Sequence, residues 1–315
     1  MEDKIFVNQI SEFLNKEIIS NFLVVQKDLR EGTKDFYLRL KLADKTGSIS
    51  GNIWNNAKVI DEKFKEGDVI KVKGIVISYK SQIQLTVNKV RVMKSEEYNL
   101  SDYIEATSKD ITKLSEKLYQ FIDNINDSYL KELLLSIFED KEFFTLFAKS
   151  PAAKTWHHNY IGGLLEHTIA VSTICDFITH LYPVNKDLLL TGAILHDIGK
   201  VYEYNIKSII DFSVIGRLIG HISLGDQLIC EKAALINNFP KETLMKLRHL
   251  ILAHHGEFEK ASVRLPQTLE AVVLHHADNL DAQTTGVQQI IESVQNKDAE
   301  WSDFDKLNNR YYYIK

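Results

Sequence analysis

The sequence predicts a multidomain protein, a small N-terminal all-β barrel followed by an all-α helical bundle. Three observations carry that reading. The 315 residues exceed what one typical domain needs. Between about Ile18 and Met93 apolar residues alternate with a period of two, the pattern of half-buried strands. From Ile111 onward they recur at three- and four-residue intervals, the pattern of amphipathic helices.

The strand pattern is cleanest over Phe36–Leu42, where Phe36, Leu38, Leu40 and Leu42 take one face and Tyr37, Arg39 and Lys41 the other. Asp44-Lys45-Thr46-Gly47 supplies turn chemistry, and Ser48 to Trp54 reads as the returning strand of a hairpin. Val69 to Ser78 alternates again, with Ile70 and Val72 inward and Lys71 and Lys73 outward, and Gln82 to Val92 adds a further run. About five short strands in so compact a stretch suggest a barrel. Residues 1–97 form this first domain, residues 98–110 are polar and irregular enough for a linker, and residues 111–315 form the bundle. In the bundle, Leu114, Leu118, Phe121, Ile122 and Ile125 share one helical face, as do Leu130, Leu133, Leu134, Ile137 and Phe138. The four prolines, at 151, 183, 240 and 266, each fall where one helical pattern stops and the next starts.

Composition narrows the class. With 44% apolar and 26% charged residues the mix is that of a soluble globular protein. The N-terminus has acidic residues and no apolar run, so no signal peptide is expected, and the longest apolar stretches are too short to cross a bilayer. Cys175 and Cys230 are far apart and in no Cys-x-x-Cys arrangement, which reads as buried small side chains in a reducing, cytoplasmic compartment. The net charge of −5 does not mark a nucleic-acid binder, but it divides into about +3 over residues 1–100 and about −8 beyond. That asymmetry favours an anionic partner at the N-terminal half.

The chemistry-bearing residues cluster in the helical part. Of eleven histidines, eight (157, 158, 167, 196, 221, 254, 255 and 276) stand mostly beside Gly, Asp or Glu, whereas His180 and His249 read as structural. Leu188 to Leu195 is an apolar helix that ends abruptly in His196-Asp197, followed by Ile198-Gly199-Lys200. Burying such a pair is costly without compensation, and a divalent metal compensates because imidazole and carboxylate together suit first-row ions. His167 stands early in one helix, His221 opens another, His254-His255 close a third, and Asp278 lies inside a fourth. Metal sites in helical bundles are built in this way, each helix bringing one or two ligands.

On these residues the chain resembles the HD superfamily of metal-dependent phosphohydrolases, whose signature of His, His-Asp and Asp is met by His167, His196-Asp197 and Asp278. The further histidines match its two-metal branch. The resemblance implies that His167, His196, Asp197 and Asp278 hold one ion, and that Asp197 bridges to a second ion completed by His221 and His254. His255 is either a ligand in place of its neighbour or a phosphate contact. Two ions about 3.5–4 Å apart activate a shared water as hydroxide for attack on phosphorus. Lys200 follows the pair closely enough to reach a phosphate oxygen as a point charge; the alternative is a solvated lysine at a helix end. Asp197 and Lys200 are thus the candidate catalytic residues. Mixed nitrogen and oxygen ligation favours Mn²⁺, with Fe or Co as alternatives.

Phe36–Trp54 resembles the OB-fold of nucleic-acid-binding proteins, which stack bases on exposed aromatics while cations track the backbone. Tyr37, Arg39, Lys41, Trp54, Lys71 and Lys73 have the parity for one outward surface; the alternative is that Trp54 packs at a barrel end and the lysines only solubilise it. An OB barrel followed by an HD-type bundle resembles the YhaM family of 3′-to-5′ exoribonucleases. Pro151-Ala152-Ala153-Lys154, His157-His158, Leu195 to Val201, Gly220-His221-Ile222-Ser223, His254-His255-Gly256 and Asp278 to Ala282 carry that resemblance. It implies Mn²⁺-dependent removal of nucleotides from the 3′ end of single-stranded RNA, with single-stranded DNA a second substrate class. His157 and His158 then lie near the site as substrate contacts or supporting groups. An HD phosphodiesterase or phosphatase acting on small nucleotides is the competing enzyme class. Its cyclic-dinucleotide HD-GYP group carries a Gly-Tyr-Pro segment after His-His-Glu, whereas this chain reads His254-His255-Gly256-Glu257-Phe258-Glu259. A non-catalytic OB module on a decayed HD scaffold is the third reading, opposed by the complete ligand set. The tail Tyr311-Tyr312-Tyr313 docks either on a second copy, as a homo-oligomer, or on its own bundle.

Overall fold

The computed structural model describes residues 4–32, 35–80, 82–206, 210–294 and 299–315. They fall into two compact units that divide in sequence between Glu105 and Ala106.

The first unit is a closed five-stranded barrel in the order β1-β2-β3-β5-β4, with β1 at Glu17–Glu31, β2 at Phe36–Asp44, β3 at Gly47–Ile53, β4 at Val69–Tyr79 and β5 at Gln82–Val92. A short helix, α1 (Ala57–Asp61), lies between β3 and β4. Alternation decides what faces inward: Leu38, Leu40 and Leu42 are buried with Phe22, Val24, Ile70, Val72 and Leu85, while Arg39 and Lys41 are exposed. β1 serves two neighbours. Its first half pairs antiparallel with β4 and its second half with β2, and an irregularity between Val24 and Gln26 marks the change. Such a bulge lets one strand turn a barrel corner. The parallel pairing of Ser50–Asn52 with Gln84–Thr86 completes the closure. In the β2–β3 turn, the Asp44 carboxylate accepts from the backbone N–H groups of Val7 and Thr46, both at 2.8 Å.

The second unit is helical: α2 (Ile111–Asp123), α3 (Ser128–Phe138), α4 (Lys141–Lys149), α5 (Gly163–Ile178), α6 (Lys186–Leu195), α7 (Lys200–Glu203), α8 (Val214–Ile219), α9 (His221–Ala234), α10 (Lys241–Ala253) and α11 (Leu269–Ser293). Asp110, Asp127, Asp140, Asn185 and Thr268 begin α2, α3, α4, α6 and α11, their side-chain oxygens accepting from first-turn N–H groups. Every residue of α6 from Leu188 to Leu195 is buried, so this helix is the axis of the unit and not a surface element. The all-α expectation needs one amendment, because β6 (Tyr204–Ile206) and β7 (Ile210–Phe212) pair as a two-stranded ribbon. Three residues per strand are too few to register as periodicity.

The segment expected to link the domains, residues 98–110, divides between the two units after Glu105. Tyr103 packs with Leu23 and Val69 and its hydroxyl donates to Asn21 at 2.5 Å. Thr107 donates its backbone N–H to Ile161 at 2.8 Å. Among the described residues no helix is long and apolar enough to cross a membrane.

Close backbone approach fixes the turn after α6. A Cβ on Gly199 would lie 2.1 Å from the His221 carbonyl oxygen and 2.6 Å from the Gly225 nitrogen. Neither atom belongs to a side chain that can turn aside. Gly199→Ala is therefore expected to cost about 1–3 kcal/mol through overpacking, measured by chemical denaturation. A loss below about 0.5 kcal/mol, the scatter of ordinary surface changes, would refute this contact.

Candidate metal centre

The end of α6 delivers His196 and Asp197 into the interior. His196 caps the helix and its Nδ1–H donates to the Ala193 carbonyl at 2.8 Å. His254, capping α10, repeats the arrangement with its Nδ1–H on the Ile251 carbonyl at 2.7 Å. In both cases a carbonyl that the helix end leaves without an intrahelical partner takes the Nδ1–H and turns Nε2 toward Asp197. His221 and His167 reach the same state through carboxylates. His221 donates Nδ1–H and its backbone N–H to Glu203, each at 3.0 Å, and His167 donates Nδ1–H to Asp281 at 2.7 Å.

The four Nε2 atoms converge on Asp197 from two sides. Its Oδ2 lies 3.4 Å from His167 Nε2 and 3.3 Å from His196 Nε2. Asp278 Oδ1 adds a further oxygen 3.2 Å from His167 Nε2. The other oxygen, Asp197 Oδ1, lies 3.5 Å from both His221 Nε2 and His254 Nε2. Four donors about 2.1 Å from one tetrahedral ion stand about 3.4 Å apart, so both groupings have the spacing of ligand sets. His167, His196 and Asp278 form one cluster able to hold an ion, and His221, His254 and His255 another. Asp197 Oδ1, His221 Nε2 and His254 Nε2 are buried without any hydrogen-bond partner. Leaving three such atoms unsatisfied costs about 1–3 kcal/mol each, and a shared cation satisfies all three. The donor set thus fits a divalent metal.

Charge in the centre is balanced by proximity. Burial alone would raise the Asp197 carboxyl, but Lys200 and His196, with hydrogen bonds from His167 and His196, hold it well below the usual carboxylate range. Asp278 is held low in the same way against its burial, chiefly by the His167 hydrogen bond. His167 is the counterpart: burial opposes its charge, yet Asp197, Asp278 and Asp281 together raise it well above the ordinary histidine value. Lys200 is buried, its ammonium donating to Asp197 Oδ2 at 2.6 Å, so the reading of it as a solvated helix-end lysine is set aside.

The remaining histidines separate by role. His255 donates Nδ1–H to the Lys260 carbonyl at 2.7 Å, and its ring lies 4.4 Å from that of His254. Burial, with His254 and His221 nearby, pushes it down to about 3. It stands beside His254 at the second position, while His254 is the one aimed at Asp197. His157 has its ring 5.4 Å from that of His167 and a buried Nδ1 without a partner; burial, then His167 and Lys200, lower it to about 3. His158 does not fit the expectation of a substrate contact. It is buried, and both ring nitrogens are taken, Nδ1 by the Tyr160 hydroxyl at 2.8 Å and Nε2 by Asp281 at 2.9 Å. Sequence reasoning assigned no role to Glu203, Asp281 or Tyr160. Asp281 carried a signal, since three residues after Asp278 it shares a helix face with it.

On the barrel, Tyr37 stacks on Trp54 with centroids 4.9 Å apart and Trp54 half exposed. Arg39 and Lys41 line a groove with Gln26, Asp28, Arg30, Ser48 and Ser50, in which Arg30 is paired with Asp28 at 2.7 Å. Lys71 and Lys73 lie on β4, outside the lining of that groove. They pair across to Arg91 and Lys89 of β5, and Lys73 is held by Glu17 at 2.8 Å. Parity fixes inward against outward, but in a closed barrel β1 separates the outward residues of β2 from those of β4.

Comparison with known proteins agrees with this division. Residues 164–283 match the model of the HD domain, and residues 25–93 match that of an OB-fold nucleic-acid-binding domain. Among solved structures, the chain is similar to the second OB-fold domain of replication protein A from Methanococcus maripaludis, at 29% identity over 27% of this chain and 92% of that one, with a TM-score of 0.23. It is similar to asparaginyl-tRNA synthetase from Pyrococcus horikoshii at 18% identity over 39% of this chain and 34% of that one, TM-score 0.26. It is also similar to the single-stranded DNA-binding protein of Thermus aquaticus at 16% identity over 25% and 40%, TM-score 0.23. The chain is an OB-fold barrel followed by a helical region containing an HD domain, the domain type of metal-dependent phosphohydrolases.

Proposed function

We propose that this protein is a metal-dependent 3′-to-5′ exoribonuclease acting on single-stranded RNA, with single-stranded DNA as a second substrate. The observation that carries the hydrolytic half is Asp197, whose two oxygens face two separate groups of imidazoles at 3.3–3.5 Å. His167, His196 and Asp278 would hold one ion with Asp197 Oδ2; His221 and His254, with His255 beside them, would hold the other with Oδ1. Mn²⁺ suits the mixed donor set, with Fe or Co as alternatives. Bound there, such ions supply Lewis acidity toward the phosphoryl group and lower the pKa of water toward neutrality.

The chain's own residues do the rest. Asp197 fixes the common axis of both positions. Lys200 holds a positive charge beside the reacting centre, where it offsets charge on a phosphoryl oxygen. His157, whose ring lies 5.4 Å from that of His167, offers a contact for the terminal phosphate or sugar. The nucleic-acid half rests on the OB-fold match at residues 25–93 and on the barrel surface. There the Tyr37–Trp54 stack offers a platform for a base, and Arg39 and Lys41 offer charge to the backbone.

With Mn²⁺ the protein should shorten 3′-end RNA stepwise and release mononucleotides, resolved by length on a gel. Asp197→Asn should lower that rate by more than the 10–100-fold typical of a supporting residue; an intact ladder from this variant would refute the metal centre. Arg39→Ala with Lys41→Ala should reduce the slope of log affinity against log salt for single-stranded RNA by about 1.4, two phosphate contacts at about 0.7 each. Hydrolysis of a small phosphodiester should be unchanged in this double variant. Lys73→Ala, already paired with Glu17, should change the slope less. Equal slopes in all three proteins would remove the groove from the binding surface.

A further inference from the structure

Asp281 accepts two imidazole N–H groups on one oxygen, from His167 Nδ1 at 2.7 Å and from His158 Nε2 at 2.9 Å. These three groups could be read as a further metal cluster, but they are already spent on one another as hydrogen bonds. His158 in turn is held at Nδ1 by the Tyr160 hydroxyl at 2.8 Å. That phenol is itself pushed up, first by burial and then by neighbouring Glu166. Glu166 is anchored by Lys109 at 2.9 Å and by the hydroxyl of Thr107. Hydrogen bonds therefore run from the Tyr160 hydroxyl through His158 and Asp281 to the back of the His167 ring.

The backbone is committed to this arrangement. His158 has φ +50°, a left-handed conformation that disfavours any side chain other than glycine. Such strain costs on the order of 1 kcal/mol and persists only where the surroundings over-determine it. Here they do. The His158 carbonyl accepts from Ala152 N–H at 3.1 Å, and a Cβ on Gly163 would fall 2.0 Å from that carbonyl oxygen. On the same loop, Trp156 packs so closely against α11 that a Cβ on Gly286 would lie 2.3 Å from its ring. A strained, buried histidine with both nitrogens engaged touches no substrate; its position makes sense only through what it holds.

We propose that His158 and Tyr160 are positioning residues of the metal centre. Through Asp281 they set the direction and basicity of His167, and so the affinity of the position formed by His167, His196 and Asp278. The position at His221 and His254 has its own support in Glu203 and is independent of them. This rests on the metal-binding reading of the same residues, so the test measures ion binding directly. Mn²⁺ titrated into the metal-stripped full-length protein by calorimetry should show two binding events. His158→Ala should weaken one of them 10–100-fold and leave the other unchanged, and Tyr160→Phe should weaken the same event less. His158→Gln, which keeps a donor near the Nε2 position, should recover part of the loss. RNA hydrolysis by His158→Ala should return at excess Mn²⁺ with KM for RNA unaltered. Two unchanged binding events with a raised KM would overturn the proposal and make His158 a substrate contact. Equal weakening of both events with a lowered melting temperature would also overturn it, as a general folding effect. Should His158→Ala not fold, Tyr160→Phe decides by the same criteria, since it deletes only a hydroxyl. Absence of any binding to the unaltered protein would instead refute the metal centre itself.

Discussion

A carboxylate with no exposed surface to speak of, Asp197, is the constraint around which the helical unit is arranged. Burying it requires compensation on both oxygens, and the fold supplies this from four directions. Lys200 comes from the next turn of the same chain, and imidazoles come from α5, α9 and α10. Those helices can approach only because the chain is thin where they meet. Gly199 lies against the His221 carbonyl, and a Cβ on Gly192 would come within 2.5 Å of Leu250 on α10. The burial of α6 from Leu188 to Leu195 follows from the same need. A helix that carries a charged pair to the centre must itself be surrounded by other helices.

The barrel is stabilised independently of that requirement. Its closure comes from strand pairing alone, with β1 divided between β4 and β2 and with β3 against β5. Closure removes the unpaired edges that would otherwise invite aggregation, so outward positions are free to carry Arg39, Lys41 and the Tyr37–Trp54 stack. The barrel matches an OB-fold nucleic-acid-binding domain and the helical unit contains the HD domain. Each is legible as a separate solution to burying its own apolar residues.

Much of the candidate site was legible in the sequence because ligand-type residues placed at helix ends leave a local mark. An imidazole-carboxylate pair after a mostly apolar run is visible without a structure, and so is a His that opens or closes a helix. What supports those ligands is not visible in that way. Glu203 and Asp281 are ordinary acidic residues until the fold sets them against His221 and His167. His157 and His158 are neighbours in sequence with rings equally close to that of His167, and only the structure shows that both nitrogens of His158 are engaged. On the barrel, alternation told inward from outward for all six candidate residues. It carried no information about which side of a closed cylinder each would occupy, and so could not place Lys71 and Lys73 of β4 relative to the groove of Arg39 and Lys41.

The two positions around Asp197 are built alike. Each takes one imidazole whose Nδ1–H is fixed by a carbonyl three residues back, His196 on Ala193 and His254 on Ile251. Each takes one imidazole backed by a carboxylate, His167 on Asp281 and His221 on Glu203. A carboxylate partner raises ligand basicity more than a neutral carbonyl does, so each position receives one stronger and one weaker nitrogen donor. The likeness ends at the next residue, Asp278 on one side and His255 on the other. Oxygen donors suit harder ions and imidazole suits later ones. Any preference of the two positions for different ions therefore resides in Asp278 and His255, not in the four histidines they share the centre with.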